Sequence, residues 1–143
     1  MAINHQLLVQ KISQLGEIIR RIENMDFTLE ELENISDLQD LLTFRLIQGV
    51  EIAIDIATHL IAGLGLKVPE SAASSFDVLA QEKIISKKLA KSLRQAVGFR
   101  NLAVHRYADL DFRLVYHDYH QDLNDLRQFV TAISQYLEKE KIT

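Results

Sequence analysis

At 143 residues and 16.4 kDa, with 48% apolar and 25% charged side chains, the chain suits a single domain spanning 1–143 that can bury its own core. One proline, five glycines and 7% aromatics are too few breakers and β-formers for a sandwich or barrel, and zero cysteines exclude disulfides, a thiolate nucleophile and a Cys-built zinc site. A net charge of -4, taken alone, disfavours a nucleic-acid binder, and a start without a basic then apolar leader points to a soluble, cytoplasmic chain with no membrane partner.

The composition predicts an all-α fold, an antiparallel bundle of about five helices. The first is expected from about Asn4 to Asn24, where Leu8, Ile12, Leu15, Ile19 and Ile22 alternate in steps of four and three. Thr28 and Glu31 have capping-box spacing and predict a short helical turn, after which Ser36 or Asp37 is the expected cap of a long helix to about Ala62. That helix is apolar on two sides, which makes it central. Its remaining strip carries Arg45, Gln48, Glu51, Asp55 and His59, and Gly63 and Gly65 stop it. The segment Lys67–Ser75 reads as a loop, with Ser74 capping a short helix to about Lys83. Ser86 then caps a basic helix in which Leu89, Leu93, Val97 and Val104 are expected to face the core. The last helix carries Phe112, Tyr116, Tyr119, Leu123, Leu126, Val130, Ile133 and Leu137 as one stripe. Leftover apolar surface on the long central helix and the last helix predicts a dimer face.

Charge is segregated along this layout. Residues 1–82 hold five basic and thirteen acidic side chains, residues 83–106 seven and none, and residues 107–143 four and seven. Lys83, Lys87, Lys88, Lys91, Arg94, Arg100 and Arg106 therefore form one basic segment. It is either an anion footprint or a solvated face balancing acidic neighbours.

The segment ends in Phe99-Arg100-Asn101-Leu102-Ala103-Val104-His105-Arg106-Tyr107. An arginine fork grips phosphate oxygens, and a histidine exchanges protons near neutrality. Together they suffice for attack of a ribose 2′-hydroxyl on its phosphodiester without metal, chemistry that DNA cannot undergo. The spacing lets both flank one ligand if the helix loosens near His105. A histidine at a helix C-terminus is, however, also favoured by the helix dipole alone. Glu51 and Asp55, one turn apart, are candidates to support the arginine. His117 and His120 lack a third ligand, so no metal or other cofactor is expected.

Arg100, four residues, His105, one residue and Tyr107 reproduce the arginine–histidine–tyrosine signature of HEPN ribonucleases, and RNLAVHRY in an acidic helical chain resembles the HepT toxins. The resemblance implies the HEPN topology and a homodimeric, metal-independent endoribonuclease toxin. Its catalytic pair would be Arg100 and His105, with Asn101 orienting substrate or His105. It also implies a partner antitoxin, an MntA-type nucleotidyltransferase that adds AMP to Tyr107 and so sets negative charge beside Arg100. Lys87, Lys88, Lys91, Arg94 and Arg106 are the candidate RNA contacts. The alternative is a noncatalytic module that binds RNA or nucleotide for a nucleotidyltransferase.

Overall fold

Each apolar stripe forms one wall of a helical bundle. The computed structural model describes residues 3–142, in which six α-helices and a single 3₁₀ turn follow one another without a strand among the described residues. They are α1 (His5–Glu23), α2 (Leu29–Asn34), α3 (Ser36–Gly63), α4 (Ala72–Gln81), α5 (Lys87–His105) and α6 (Phe112–Ile142), with the 3₁₀ turn at Tyr107–Asp109 between the last two.

Local chemistry sets most of the boundaries. Asn4 caps α1 by accepting from the Leu7 amide, Ser86 caps α5 by accepting from the Leu89 amide, and Thr28 with Glu31 closes a reciprocal capping box on α2. Two expected caps are different. Ser71, not Ser74, caps α4, because Ser74 occupies the third helical position and returns its hydroxyl to the Ser71 backbone. Neither Ser36 nor Asp37 caps α3, since only Ile35 separates it from α2 and leaves no room for a side-chain cap. Gln39 instead donates from its amide to the Leu32 and Glu33 carbonyls, which satisfies the end of α2 from inside α3.

The long helix α3 is the axis of the bundle. It buries Leu42, Leu46, Val50, Ala53, Ile56, Ala57, Leu60 and Ile61, and α1, α4, α5 and α6 all pack on it. It is long and apolar enough to cross a membrane by length and composition; here its apolar sides meet other helices. At Gly49 side chains of α1 and α6 press against the α3 backbone, and a Cβ there would lie 3.2 Å from Leu126 Cδ1 and 3.7 Å from Ile18 Cγ2. Polar ties fix the registers. Lys11 pairs with Asp55 at 3.5 Å and Arg45 donates to the Arg21 carbonyl at 3.1 Å, so α1 runs antiparallel to α3, while Arg127 to Glu23 at 2.7 Å joins α6 to α1.

The core differs from the expected stripes on α5 and α6 in which of two neighbours is buried. On α6, Phe129 is fully buried edge-on against Phe76, with ring centroids 5.6 Å apart, and Val130 is only partly buried. On α5, Ala103 faces the core and Val104 faces solvent, because one residue rotates the helix by about 100°. Tyr119 is buried and Tyr116 partly so, both against Phe27.

Candidate functional site

The basic segment becomes one exposed face of α5. At about 100° per residue, Lys87, Lys91, Arg94, Asn101 and His105 fall within a narrow arc, all solvent-exposed, with Lys88 and Arg106 rotated to one side. Lys87, Lys88 and Lys91 make no ion pair among the described residues. Arg94 pairs with Asp77 of α4, and Arg106 pairs with Asp109 at 2.7 Å.

Arg100 leaves the helix on a different side. Its side chain is about three-quarters buried, donating to Glu51 Oε1 of α3 at 3.4 Å and to Asn101 Oδ1 at 2.8 Å. Glu51 thus meets the arginine of α5, whereas Asp55, one turn on, pairs with Lys11 of α1. Asn101 holds Arg100, not His105. The helix does not loosen near His105, which is its last residue; the chain breaks one position later, at Arg106, where φ is -142 and ψ is 51. Arg100 and His105 therefore stand about 140° apart around the axis and about 7.5 Å apart along it. The imidazole is exposed and makes no hydrogen bond among the described residues.

Tyr107 opens the 3₁₀ turn that follows. Its ring lies 6.1 Å from that of Phe112, and its hydroxyl donates to Asp40 Oδ1 in the first turns of α3. The phenol pKa is pushed up to about 12, first by burial, then by the Asp40 carboxylate that accepts its proton and adds negative charge; the Thr43 hydroxyl beside it acts in the opposite direction. Asp40 and Thr43 are absent from the sequence reading. Asp40 lies 67 residues from Tyr107, and the polar strip of α3, continued back from Glu51 through Gln48 and Phe44 in steps of three and four, reaches it only across an aromatic residue.

The motif is thus fastened at both ends to α3, by Arg100 to Glu51 and by Tyr107 to Asp40, with the two helices antiparallel. Beside it, a groove of about 420 Å³ between α5 and α6 is lined by Leu102, Leu114, Asp111, Asp118, Asp122 and Asp125 among others, with no basic side chain in its lining. Burial raises the Asp122 carboxyl to about 7, helped by the charges of Asp125 and Asp118. Asp125 is also raised by burial, opposed by the Gln121 amide that donates to it at 2.9 Å. His117 and His120 acquire no third ligand, and no group of three or more metal-ligating residues occurs among the described residues.

A family profile described as Ribonuclease HepT-like matches residues 13–133. The chain belongs to the HepT-like family. Among curated HepT relatives, the mRNA nuclease HepT of Shewanella oneidensis is 33% identical over 90% of this chain and 97% of its own length. The tRNA nuclease HepT of Aphanizomenon flos-aquae is 32% identical over 90% of this chain and 86% of its own. Among solved structures, the tri-AMPylated Shewanella oneidensis HEPN toxin in complex with MNT antitoxin superposes with a TM-score of 0.83 at 33% identity, covering 90% of this chain and 96% of that one. The HepT-like assignment agrees with the motif and with the all-helical fold.

Proposed function

We propose that this HepT-like chain is the toxin of a toxin–antitoxin pair, a cytoplasmic endoribonuclease that cleaves RNA by 2′-hydroxyl transesterification without a metal. The observation that carries the reading is the exposed face of α5 that leads from Lys87 and Lys91 past Arg94 to Asn101 and His105, with Arg100 held on the adjoining side of the same helix. Lys87, Lys88, Lys91, Arg94 and Arg106 track the RNA phosphates, a contact that salt weakens by screening and counterion release, and the acidic remainder of the chain adds no long-range attraction. Arg100 grips the scissile phosphate and stabilises the charge that develops on it. His105 takes the 2′-hydroxyl proton, a contribution typically worth about 10² to 10⁴ in rate. Asn101 and Glu51 hold the guanidinium in place, and the Lys11 contact assigns Asp55 a packing role.

The same geometry is what supports a dimer in this reading. Arg100 and His105 straddle α5, so a phosphate that meets both sits at the end of the helix or between two such ends. Leu41 and Phe44 on α3, Leu102 and Val104 on α5 and Leu114 on α6 surround the motif as exposed apolar side chains, and a second copy would cover them. The antitoxin in this reading is an MntA-type nucleotidyltransferase that transfers AMP from ATP to Tyr107. The support is the tri-AMPylated toxin from Shewanella oneidensis together with the match of Tyr107 to the family signature.

Incubation of wild-type, Arg100→Ala and His105→Ala protein with total RNA in EDTA, with sequencing of cyclic-phosphate ends, tests the reading. Specific ends from the wild type alone are expected, with unchanged helical circular dichroism in all three. Retained RNA binding with no new ends in any sample would favour the noncatalytic module.

A further inference from the structure

We propose that Asp40 is the base for nucleotidyl transfer to Tyr107: its carboxylate orients the phenol and takes the proton as the phenol oxygen attacks the α-phosphorus of a nucleoside triphosphate. The inference rests on Tyr107 being the adenylate acceptor and adds to it a residue supplied by the toxin chain itself.

The contact is direct, since the Tyr107 hydroxyl donates to Asp40 Oδ1. Tyr107 is 38% exposed and Asp40 is exposed, so a triphosphate held by a partner can reach the oxygen while the carboxylate keeps its place. The neighbouring acidic groups are otherwise engaged. Asp109, in the same turn, is paired with Arg106, and Glu51 with Arg100, whereas Asp40 makes no ion pair among the described residues and is free to accept a proton. With a phenol pKa of about 12, only about one molecule in 10⁵ carries a phenolate at pH 7, so pre-ionisation supplies little nucleophile. The proton must leave as the bond forms, when the oxygen becomes far more acidic, and it leaves along the hydrogen bond already made.

The step balances without a redox partner. A bond forms between the Tyr107 oxygen and the α-phosphorus, the bond from that phosphorus to the bridging oxygen breaks, and pyrophosphate departs. The phenol proton passes to Asp40 and then to solvent.

The test is single-turnover transfer of AMP from ATP with an MntA-type nucleotidyltransferase, followed by intact mass and peptide mapping for wild type, Asp40→Asn, Asp40→Glu and Tyr107→Phe. Asp40→Asn keeps size and an acceptor oxygen but cannot hold the proton. It is expected to slow transfer about 10²-fold or more at pH 7. Its residual rate should rise about tenfold per pH unit as hydroxide takes over, more steeply than the wild-type rate. Asp40→Glu should recover part of the rate, and both variants should bind the nucleotidyltransferase as the wild type does. Transfer to Asp40→Asn within about threefold of wild type, or a loss matched by lost binding, would overturn the role of Asp40. Equal modification of Tyr107→Phe would instead overturn the acceptor assignment, and the base with it.

Discussion

Replacing Asp122 by asparagine should stabilise the fold at pH 8 and do almost nothing at pH 4. The carboxyl lies in the groove between α5 and α6 among Leu102, Leu114 and Val115, beside Asp118 and Asp125 and without a cation in the lining. Burial, then the charges of Asp125 and Asp118, raise it from 3.8 to about 7. The folded chain therefore binds this proton more tightly than the unfolded chain. The linked stability is fully present below about pH 4 and is lost progressively as pH rises through about 7. A difference between 3.8 and about 7 is worth about 4 kcal/mol once both states are ionised, a large part of the roughly 5–15 kcal/mol that holds a domain together. Asparagine keeps the shape and polarity and removes the charge. Paired urea melts of wild type and Asp122→Asn at a series of pH values give the gain directly. It should grow from near zero at pH 4 towards about 4 kcal/mol at pH 8, with a rise in Tm of roughly 10 °C. A gain of equal size at both ends of the range would refute the reasoning, because it would arise from packing and not from ionisation.

Phe129→Ala should cost about 3–5 kcal/mol in a denaturant melt, since the ring is fully buried against Phe76 and its loss leaves a cavity where α4 meets α6; a cost below about 1 kcal/mol would contradict that packing. Glu51→Gln and Asp55→Asn separate the two carboxylates of α3. Glu51→Gln should change stability by less than about 1 kcal/mol, because its carboxylate is half-exposed and its contact with Arg100 is long at 3.4 Å, and should reduce RNA cleavage, though by less than His105→Ala does; Asp55→Asn should reduce cleavage least. Equal losses for the two carboxylate variants, measured on the same RNA, would mean that the contact with Arg100 is not what matters.

What the sequence made readable is what depends on neighbours within a turn or two. Asn4, Thr28 with Glu31, and Ser86 each cap the helix that their spacing predicts, because an N-cap needs only an oxygen and an amide two or three residues away. Ser71 shows the limit: two serines three apart both look like caps, and only the path of the preceding loop decides which one leaves the helix. Burial was readable to within one residue. Val104 faces solvent where Ala103 faces the core, and Val130 packs at the edge of a stripe whose fully buried residue is Phe129, because a 3.6-residue period allows two neighbours to share an edge and the facing helices choose between them. The Arg100–His105–Tyr107 spacing was plain, but the contacts that position it were not. Glu51 could be named from its place on a polar strip, while Asp40 is joined to Tyr107 only by tertiary packing.

These two contacts with α3 give the motif its geometry. Glu51 holds Arg100, Asp40 holds Tyr107, and His105 lies between them on the last turn of α5, positioned by both ends and bonded to neither. In the proposed reading this is preorganisation, since the anchors remove motion while the His105 ring keeps its nitrogens free for proton transfer. The anchors are eleven residues apart on α3, or about 16 Å, so an adenylate on Tyr107 would not first place its charge beside Arg100. It would remove the donor of the Tyr107–Asp40 hydrogen bond and set a phosphodiester against the Asp40 carboxylate, where like charges repel. The strain would fall on the turn at Arg106 and Tyr107, immediately after His105. In the proposed control of activity, adenylation thus perturbs the histidine end of the motif through its anchor, and the arginine end keeps its hold on Glu51.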